Sequence, residues 1–421
     1  MSETLRRIIA KNRAGERVAI PSVCSAQPDV LRASLKWAER IDRPIVIEAT
    51  SNQVNQEGGY TNNTPIKFVN YINALIDECD VDRERVTLGG DHLGPQVWRD
   101  LPAKIAMKKA RILVADYVSA GFQKIHLDCS EGCAGEVAQL SDEVAAKRTA
   151  TLASVCEDAA QHSSLLYVIG TEVPPPGGAR IDESGDILAT SPEAALATLA
   201  AHENAFVKLG LVDLKSQIAG LVVQPGVEFA PMHVHHMPLD RDPALRDVMM
   251  GWPGLCLEAH STDYQKPRVF GRLADLGFAF QKVGPALTAA YRQALYALEA
   301  ALDISGESTG LIKVMDKLMA QEPRYWQKHY AQNNRVARHV GLSDRIRYYW
   351  PYPAAQQAVA RLRDKVNART LPDPLLWQVF APNVLDRAEQ LQGSQVQRLI
   401  DAQIEITLDP YDVRQVEHKH A

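Results

Sequence analysis

Residues Val86–Asp91 read VTLGGD, a short apolar run that ends in two glycines and a carboxylate. Seven other segments share this design, each a buried-type apolar run that becomes polar or glycine-containing at its carboxyl end. They are Ala19–Cys24 (AIPSVC), Pro44–Ala49 (PIVIEA), Lys124–Asp128 (KIHLD), Leu166–Glu172 (LYVIGTE), Gly220–Gln224 (GLVVQ), Leu255–His260 (LCLEAH) and Phe278–Val283 (FAFQKV). Near-continuous apolar strands are typical of a parallel sheet that is covered on both faces.

Each gap between successive runs contains a segment with helical periodicity. These segments are Val30–Arg40, Ile66–Glu78, Lys104–Ser119, Asp142–Ala159, Pro192–Lys208, Pro243–Met249 and Arg268–Leu276. The widest gap, from Glu172 to Gly220, also contains PPPGGAR, which predicts a long loop before its helix. Eight strands that alternate with helices predict an α/β protein with a (β/α)8 TIM barrel.

The pattern changes after Val283, because the remaining chain has helical periodicity and no strand of comparable quality. Helices are predicted over Ala286–Leu302, Gly310–Met319, Pro353–Val366, Pro374–Leu391 and Val396–Ile406. We therefore expect a barrel domain over residues 1–302 and a helical C-terminal extension packed on it over residues 303–421.

Composition limits the classes of function. The 421 residues carry 46 Lys and Arg against 51 Asp and Glu, a net charge of −5, so no global basic field favours nucleic acid or an anionic membrane. No apolar run approaches the roughly 20 residues that span a bilayer, and the amino-terminal sequence lacks a signal-peptide core. The six scattered cysteines are expected to be reduced thiols, and we expect a cytoplasmic protein.

Polar residues are dense at the ends of the eight runs, where barrels of this kind carry their function. They are Cys24, Glu48, Asn52, Gln53, Asp91, His92, Asp128, Glu172, Gln224, Glu258, His260, Asp263 and Lys282. A barrel interior cannot bury so many ionisable groups alone, so they must pair with each other, bind a metal or face a ligand.

The sequence LGGDHLGP, Leu88–Pro95, gives the clearest chemical signal. His92 and His260 are predicted to converge across the barrel as ligands of a divalent metal, with Glu172 or Gln224 as a third ligand. The alternatives are a capped turn at His92, a hydrogen-bonded core histidine at His260 and a salt bridge at Glu172.

His126 and Asp128 share one face of their strand by alternation, and we expect both to point inward. Asp128 then orients a ligand imidazole or a substrate hydroxyl, or forms a plain His–Asp pair. Lys282 is interpreted as the neighbour of an interior carboxylate rather than as a Schiff-base amine.

Phosphate binding is predicted where glycine and hydroxyl residues follow the last two runs, beside a helix amino end. The candidates are Ser261, Thr262, Gly284 and Thr288, joined by Asn52 and Lys282 as further substrate contacts. Helix capping alone also explains such residues. The histidines in HVHH, at 233, 235 and 236, favour a surface or lid role.

Long motifs in order along nearly the whole chain resemble the tagatose-bisphosphate aldolase Z-subunit family, of the GatZ and KbaZ type. They are SVCSA (Ser22–Ala26), IEATSNQVNQ (Ile47–Gln56), GGDHLGP (Gly89–Pro95), AGFQKIHLDCS (Ala120–Ser130), GTEVPPPGG (Gly170–Gly178), VVQPGVEF (Val222–Phe229), EAHSTDYQ (Glu258–Gln265), KVGPALT (Lys282–Thr288) and SDRIRYYWP (Ser343–Pro351). The family is similar to zinc-dependent class II aldolases, which implies an aldolase-type TIM barrel.

The resemblance also implies roles for single residues. It assigns proton transfer to Asp91, metal ligation to His92 and His260, and a site carboxylate to Glu172. Gln224 stands where the catalytic aldolases have a histidine, and glutamine is a poorer zinc ligand than imidazole.

Four functions are compatible with the resemblance. The first is a Z-type subunit that supports a Y-type catalytic subunit in D-tagatose-1,6-bisphosphate aldolase, within galactitol and tagatose catabolism. The second is an autonomous, metal-dependent D-tagatose 6-phosphate 4-epimerase that uses retro-aldol chemistry. A sugar-phosphate kinase is disfavoured because the chain has no GxxxxGK[ST] phosphate loop. The fourth is a scaffold without activity. The substrate is expected to be a small sugar phosphate, and assembly with further copies of the chain stays open.

Overall fold

A computed structural model of the protein describes residues 2–160, 164–170, 187–330 and 334–414. The strands of this part of the chain are β1 (Ile20–Cys24), β2 (Ile45–Thr50), β3 (Val86–Leu93), β4 (Lys124–Leu127), β5 (Leu166–Ile169), β6 (Ile218–Val222), β7 (Glu228–Ala230), β8 (His233–His235), β9 (Cys256–Ala259) and β10 (Phe278–Val283). Eight of them close into a parallel barrel in the order β1-β10-β9-β6-β5-β4-β3-β2. The predicted (β/α)8 fold is confirmed, and each of the eight apolar runs contains a barrel strand.

Strand register places the polar ends of the runs side by side. Cys24 of β1 is opposite Glu48 of β2, and Glu48 is in turn opposite Gly89 of β3. Ser22 of β1 pairs with Lys282 of β10, which closes the barrel. Because all eight strands run in the same direction, their carboxyl ends form one rim, and the candidate residues collect there.

The strands β7 and β8 form a separate antiparallel hairpin beyond β6. His233 and His235 lie on β8, so the HVHH segment is part of a hairpin and not a plain loop.

Helices surround the barrel and follow the predicted alternation. They are α1 (Ser2–Arg13), α2 (Pro28–Arg40), α3 (Pro65–Glu78), α4 (Ala103–Ala120), α5 (Asp142–Ala160), α6 (Pro192–Lys208), α7 (Pro267–Asp275) and α8 (Pro285–Ile304). The predicted helix at Pro243–Met249 is instead a 3₁₀ segment over Leu245–Gly251. It starts late because Ala244 has a left-handed backbone with φ of 56°, and the Asp242 carboxylate accepts its N–H at 2.9 Å.

The helix α1 was not predicted from the sequence. It packs against β9 and β10. The Asn12 side-chain amide donates to the carbonyl of Ala274 at 2.8 Å, and Arg13 donates to the carbonyl of Leu255 at 2.8 Å. These bonds fasten α1 to the side of the barrel opposite the candidate site.

The C-terminal region is helical, as predicted. Its helices are α9 (Leu311–Gln321), α10 (Arg335–Val340), α11 (Pro353–Ala368), α12 (Asp373–Leu376), α13 (Pro382–Gln390) and α14 (Gln395–Leu408). The single helix predicted over Pro374–Leu391 is divided, because Ala381 before Pro382 is extended, with ψ of 147°.

The helix α14 packs against α2 and α8 of the barrel. Two ion pairs join α2 to α14: Arg32 lies 2.7 Å from Asp401, and Arg40 lies 2.6 Å from Glu405. One apolar core runs through both regions. The boundary at residue 302 stays a prediction, since α8 runs on to Ile304. None of the described helices combines the length and apolar character needed to cross a membrane.

Candidate active site

A cavity of about 710 Å³, counting the space at its open mouth, lies at the carboxyl ends of the barrel strands. Predicted site residues that line it are Asn52, Asp91, His92, His260, Ser261, Lys282, Gly284 and Thr288. Aromatic side chains of Tyr60, Phe229 and Tyr348 supply much of the remaining wall. The cavity therefore combines ionisable groups with apolar surface, which is typical of a small-molecule site.

The glycines of LGGDHLGP make room for this arrangement. A Cβ on Gly89 would lie 2.9 Å from Cγ of Glu48, so glycine lets the Glu48 side chain cross the neighbouring strand. A Cβ on Gly94 would lie 1.8 Å from the carbonyl oxygen of Asp128, which no side chain allows. Between them, His92 adopts a left-handed backbone with φ of 46°, an uncommon conformation for a residue that has a Cβ.

Three imidazoles meet beneath the cavity. The ring centroids of His92 and His260 are 5.2 Å apart, those of His92 and His126 are 5.0 Å apart, and those of His126 and His260 are 5.3 Å apart. All three side chains are buried. The convergence of His92 and His260 expected from the sequence is observed, and His126 completes a triangle.

Each imidazole has one nitrogen close to a carboxylate. His92 Nδ1 lies 2.8 Å from Asp128 Oδ2, His126 Nδ1 lies 2.9 Å from Asp91 Oδ1, and His260 Nε2 lies 3.0 Å from Glu258 Oε1. A metal-binding histidine usually donates its other ring N–H to a carboxylate, which fixes the tautomer. The second nitrogen of each ring is thereby left as a potential ligand.

The residues fit a divalent transition metal. The Nε2 atom of His126 is buried and has no hydrogen-bond partner among the described residues, a costly state that metal ligation would relieve. Ligand atoms of Asp91, His92 and His126 all lie within 4.8 Å of one another. Imidazole nitrogens with one carboxylate oxygen form a donor set that zinc and similar metals accept.

Burial and neighbouring charges set the protonation of the three rings. Burial lowers the pKa of His126, and burial together with the charge of Lys282 lowers the pKa of His260 to about 3. Both rings are therefore neutral at physiological pH and able to bind a metal. For His92 burial acts in the same direction, but Asp91 and Asp128 outweigh it and raise its pKa.

A buried ion network lies beside the imidazoles. Lys282 contacts Asp91 directly and lies 3.2 Å from Glu48 and 3.3 Å from Glu258. Lys124 bridges Glu48 and Glu258, at 2.6 Å from each. Two cations and three carboxylates thus share one enclosed region, where charges are tolerated only in contact with each other.

This network keeps Asp91 ionised. Burial opposes ionisation, but the charges of His92 and Lys282 and the hydrogen bond from His126 hold the pKa of Asp91 well below its usual range. The thiol of Cys24 also contacts this carboxylate, at 3.2 Å. Because burial and Asp91 raise the pKa of Cys24 well above its ordinary value, the thiol stays protonated and acts as a donor.

The structure does not bring Gln224 to the imidazoles. Its side-chain oxygen accepts the N–H groups of Gly226 at 2.8 Å and Val227 at 2.9 Å, so the amide caps its own turn. Gln224 also does not line the cavity. His126, and not Gln224, completes the imidazole triangle, while Glu172 lies outside the described residues and its predicted role stays a prediction.

Two of the predicted phosphate contacts also have other partners. The Thr262 hydroxyl donates to the carbonyl of Lys282 at 2.6 Å, and Thr262 does not line the cavity. The N–H groups of Gly284 and Ala286, at the start of α8, donate to the Asp263 carboxylate at 3.0 and 2.8 Å. The helix amino end that was expected to attract phosphate is therefore capped by an internal carboxylate.

Sequence reasoning missed two contributors to the site. His126 was recognised as inward-facing but not as part of the imidazole triangle. Arg347, in the SDRIRYYWP motif, follows no barrel strand, so its position in the sequence does not predict a site role, yet it lies on the cavity wall. The sequence signal for a binding role of this motif is its pair of arginines next to three aromatic residues, in a region where the sequence otherwise predicts only amphipathic helices.

The fold and this site define a (β/α)8-barrel enzyme that has potential metal-binding residues at the carboxyl ends of its strands. Residues 5–415 match the model of the family described as D-tagatose-1,6-bisphosphate aldolase subunit GatZ/KbaZ-like, and the chain belongs to this family. The resemblance seen in its motifs is confirmed.

Two relatives are similar over almost the whole length. A D-tagatose 6-phosphate 4-epimerase of Agrobacterium fabrum (strain C58 / ATCC 33970) is 42% identical over 433 residues, which cover 100% of each chain. A crystal structure described as a probable tagatose 6 phosphate kinase from Sinorhizobium meliloti 1021 is 40% identical. It has a TM-score of 0.84 and covers 93% of this chain and 99% of that chain.

Proposed function

We propose that the protein is a metal-dependent D-tagatose 6-phosphate 4-epimerase. The observation that carries the proposal is the imidazole triangle of His92, His126 and His260 beside an ionised Asp91, all within one chain. The full-length similarity to an epimerase of the same name supports it. We further propose zinc as the metal, because a set of three imidazoles suits it, and the cytoplasm as the location.

Retro-aldol chemistry inverts C4 without an external oxidant or reductant. Removal of the C4 hydroxyl proton and cleavage of the C3–C4 bond give glyceraldehyde 3-phosphate and the enediolate of dihydroxyacetone. Rotation of the aldehyde followed by re-formation of the bond gives D-fructose 6-phosphate. The proton returns to the C4 oxygen, so atoms and electrons balance.

The side chains of the cavity have distinct roles in this proposal. His92, His126 and His260 hold the metal, which when bound supplies a Lewis acid for the ketose carbonyl. Asp91, kept ionised by Lys282, takes up the C4 hydroxyl proton and returns it on the other face. Asp128 positions His92.

Substrate hydroxyls are proposed to contact Asn52, Ser261 and Thr288, which line the cavity. Glu172 stays a candidate for the second carboxylate. The aromatic residues of the wall exclude water, which protects the enediolate while the aldehyde rotates.

A product assay tests the function. The purified protein, loaded with zinc, is incubated with D-tagatose 6-phosphate, and the sugar phosphates are resolved by ¹³C NMR. We expect D-fructose 6-phosphate to form, to be lost after chelation and to return with zinc. Asp91→Asn is expected to lose at least about 100-fold in kcat, the usual scale of a general base. Failure of the zinc-loaded wild type to form this product would overturn the proposal.

The family description favours a second candidate, a Z-type subunit of D-tagatose-1,6-bisphosphate aldolase. It predicts that the protein binds a Y-type subunit and raises that subunit's rate of bisphosphate cleavage. The same assay with D-tagatose 1,6-bisphosphate, with and without the Y-type subunit, separates the two functions. Adding ATP to D-tagatose 6-phosphate tests a kinase directly, since only a kinase gives the bisphosphate.

A further inference from the structure

We infer that Arg347 binds the phosphate group of the substrate, at the end of the cavity away from the imidazole triangle. This inference rests on the proposed function, which supplies a sugar phosphate as substrate. It assigns the phosphate site to the C-terminal helical region rather than to the barrel loops where the sequence analysis placed it.

The first step is the position of the guanidinium. Arg347 lies in a 3₁₀ segment, Arg345–Tyr349, and reaches the wall of the cavity. It donates to the carbonyls of Ser343 and Asp344, the latter at 3.2 Å, and to the hydroxyl of Tyr348 at 3.0 Å. The guanidinium also lies 4.5 Å from the centroid of the Tyr348 ring. These contacts fix its orientation but do not neutralise its charge.

The second step is charge balance. No carboxylate of the described residues lies within ion-pair distance of Arg347, although the residue is half-buried. The nearest acidic residue in sequence, Asp344, is paired with Arg292 at 2.8 Å. Lys282, the other cation on the wall, is matched by Asp91 and two glutamates. Among the described residues of the cavity wall, Arg347 is thus the cation without an ion-pair partner, and a half-buried cation in this state favours an anionic ligand.

The third step is the polarity of the cavity. Ser25, Tyr60, Thr288 and Arg347 line both this cavity and an adjoining one that reaches α11. Asp91, His92 and His260 line the first cavity alone. A substrate with its ketose end near the imidazoles therefore extends its other end toward Arg347.

The surroundings of Arg347 suit a phosphate monoester. Guanidinium groups bind phosphate through paired N–H donors. The Ser25 hydroxyl accepts the N–H of Gln27 at 3.3 Å, which leaves its own O–H as a donor toward the cavity. The start of α8 does not compete for the anion, because Asp263 already accepts the N–H groups of Gly284 and Ala286.

The test combines kinetics with direct binding of inorganic phosphate. We expect Arg347→Gln to raise KM for D-tagatose 6-phosphate by about 10- to 100-fold, the scale of a charge-assisted hydrogen-bond pair, and to change kcat by less than about threefold. Calorimetric titration of the metal-free protein with inorganic phosphate should show a similar loss of affinity. Arg347→Lys keeps the charge and should recover part of both.

Arg363→Gln is the matched control. Arg363 lines the adjoining cavity but is paired with Asp29 at 2.8 Å, so its loss should leave phosphate affinity within about twofold. Circular dichroism and thermal unfolding confirm that each variant is folded.

The outcomes separate this inference from the proposed function. Arg347-dependent binding of inorganic phosphate supports the phosphate site even when the protein turns over no D-tagatose 6-phosphate. Unchanged phosphate affinity and KM in folded Arg347→Gln, or no phosphate binding by the wild type at tens of millimolar, overturns the assignment while leaving epimerase activity untouched.

Discussion

His92 and Asp128 are joined by a hydrogen bond of 2.8 Å between Nδ1 and Oδ2. The other carboxylate oxygen accepts the backbone N–H of Ser130 at 3.0 Å and its hydroxyl at 2.6 Å. Ser130 thus fixes one carboxylate oxygen of Asp128, and the other oxygen orients the imidazole of His92. The other ring nitrogen, Nε2, lies 3.7 Å from Asp91 Oδ2, and the left-handed backbone of His92 is part of the same arrangement.

Removal of this carboxylate should weaken metal binding. We expect Asp128→Ala to lower zinc affinity by about 10- to 100-fold, the usual effect of losing the carboxylate behind a ligand histidine. Competition with a zinc chelator of known affinity measures the change. Ser130→Ala is the control, because it removes only a support of Asp128 and should cost less than about threefold. Equal affinity in Asp128→Ala and the wild type would contradict the assigned role.

The identity of the third imidazole can be tested separately. His126→Ala should reduce zinc affinity by at least about 10-fold, whereas Gln224→Ala should leave it within about twofold. Gln224 caps a turn, so its replacement should instead lower the free energy of unfolding by about 1 kcal/mol. Zinc titration and urea unfolding distinguish the two effects. A large loss of zinc affinity in Gln224→Ala would restore Gln224 as a ligand.

The barrel could be predicted because its signal is local. Each strand is a short apolar run, and each run ends where apolar side chains give way to polar residues or glycines, as Val86–Leu93 illustrates. The helix α6 likewise carries its own start signal, with Ser191 capping before Pro192, whereas α2 begins at Pro28 after a Gln27 cap, two residues before the predicted Val30.

The missed features depend on distant parts of the chain. His126 looked like half of a His–Asp pair with Asp128, but Asp128 bonds His92 and His126 bonds Asp91. This exchange follows from the register of β3 and β4, which shifts between Gly90 and Leu93. Arg347 enters the site from the far end of the sequence, so no strand-end rule points to it.

The ion network predicts a strong effect at Lys282. Lys282→Met leaves Asp91 without its lysine partner and leaves Glu48 and Glu258 with Lys124 alone, so we expect the free energy of unfolding to fall by about 3–5 kcal/mol. Chemical denaturation at pH 7 measures it. The double variant Lys282→Met/Asp91→Asn removes a cation and an anion together and should recover at least about 1 kcal/mol of that loss. If the loss of stability in the double variant equals the sum of the losses in the two single variants, Lys282 and Asp91 are not coupled.

Asp263 predicts a dependence of stability on pH. Burial raises its pKa to about 6 from an ordinary 3.8, against the hydrogen bonds that it accepts from Ala286 and Gly284. The folded protein therefore binds a proton more tightly than the unfolded chain does. This contribution to stability is complete below the unfolded pKa and is lost as the pH rises through about 6. Above that pH the ionised carboxylate costs about 2–3 kcal/mol.

Asp263→Asn separates the charge from the hydrogen bonds. The amide oxygen still accepts the N–H groups of Gly284 and Ala286, but it carries no charge. We expect this variant to be more stable than the wild type at pH 8, with an advantage about 1 kcal/mol larger there than at pH 5.

Urea unfolding of both proteins at the two pH values measures the difference. The comparison of variants is needed because burial also raises the pKa of Asp401, to about 7, which gives the wild type a second dependence of the same sign. Asp263→Ala, which loses the acceptor as well, should be less stable than Asp263→Asn at both pH values. A stability difference between Asp263→Asn and the wild type that is the same at pH 5 and pH 8 would contradict this prediction, because it would mean that folding does not raise the pKa of Asp263.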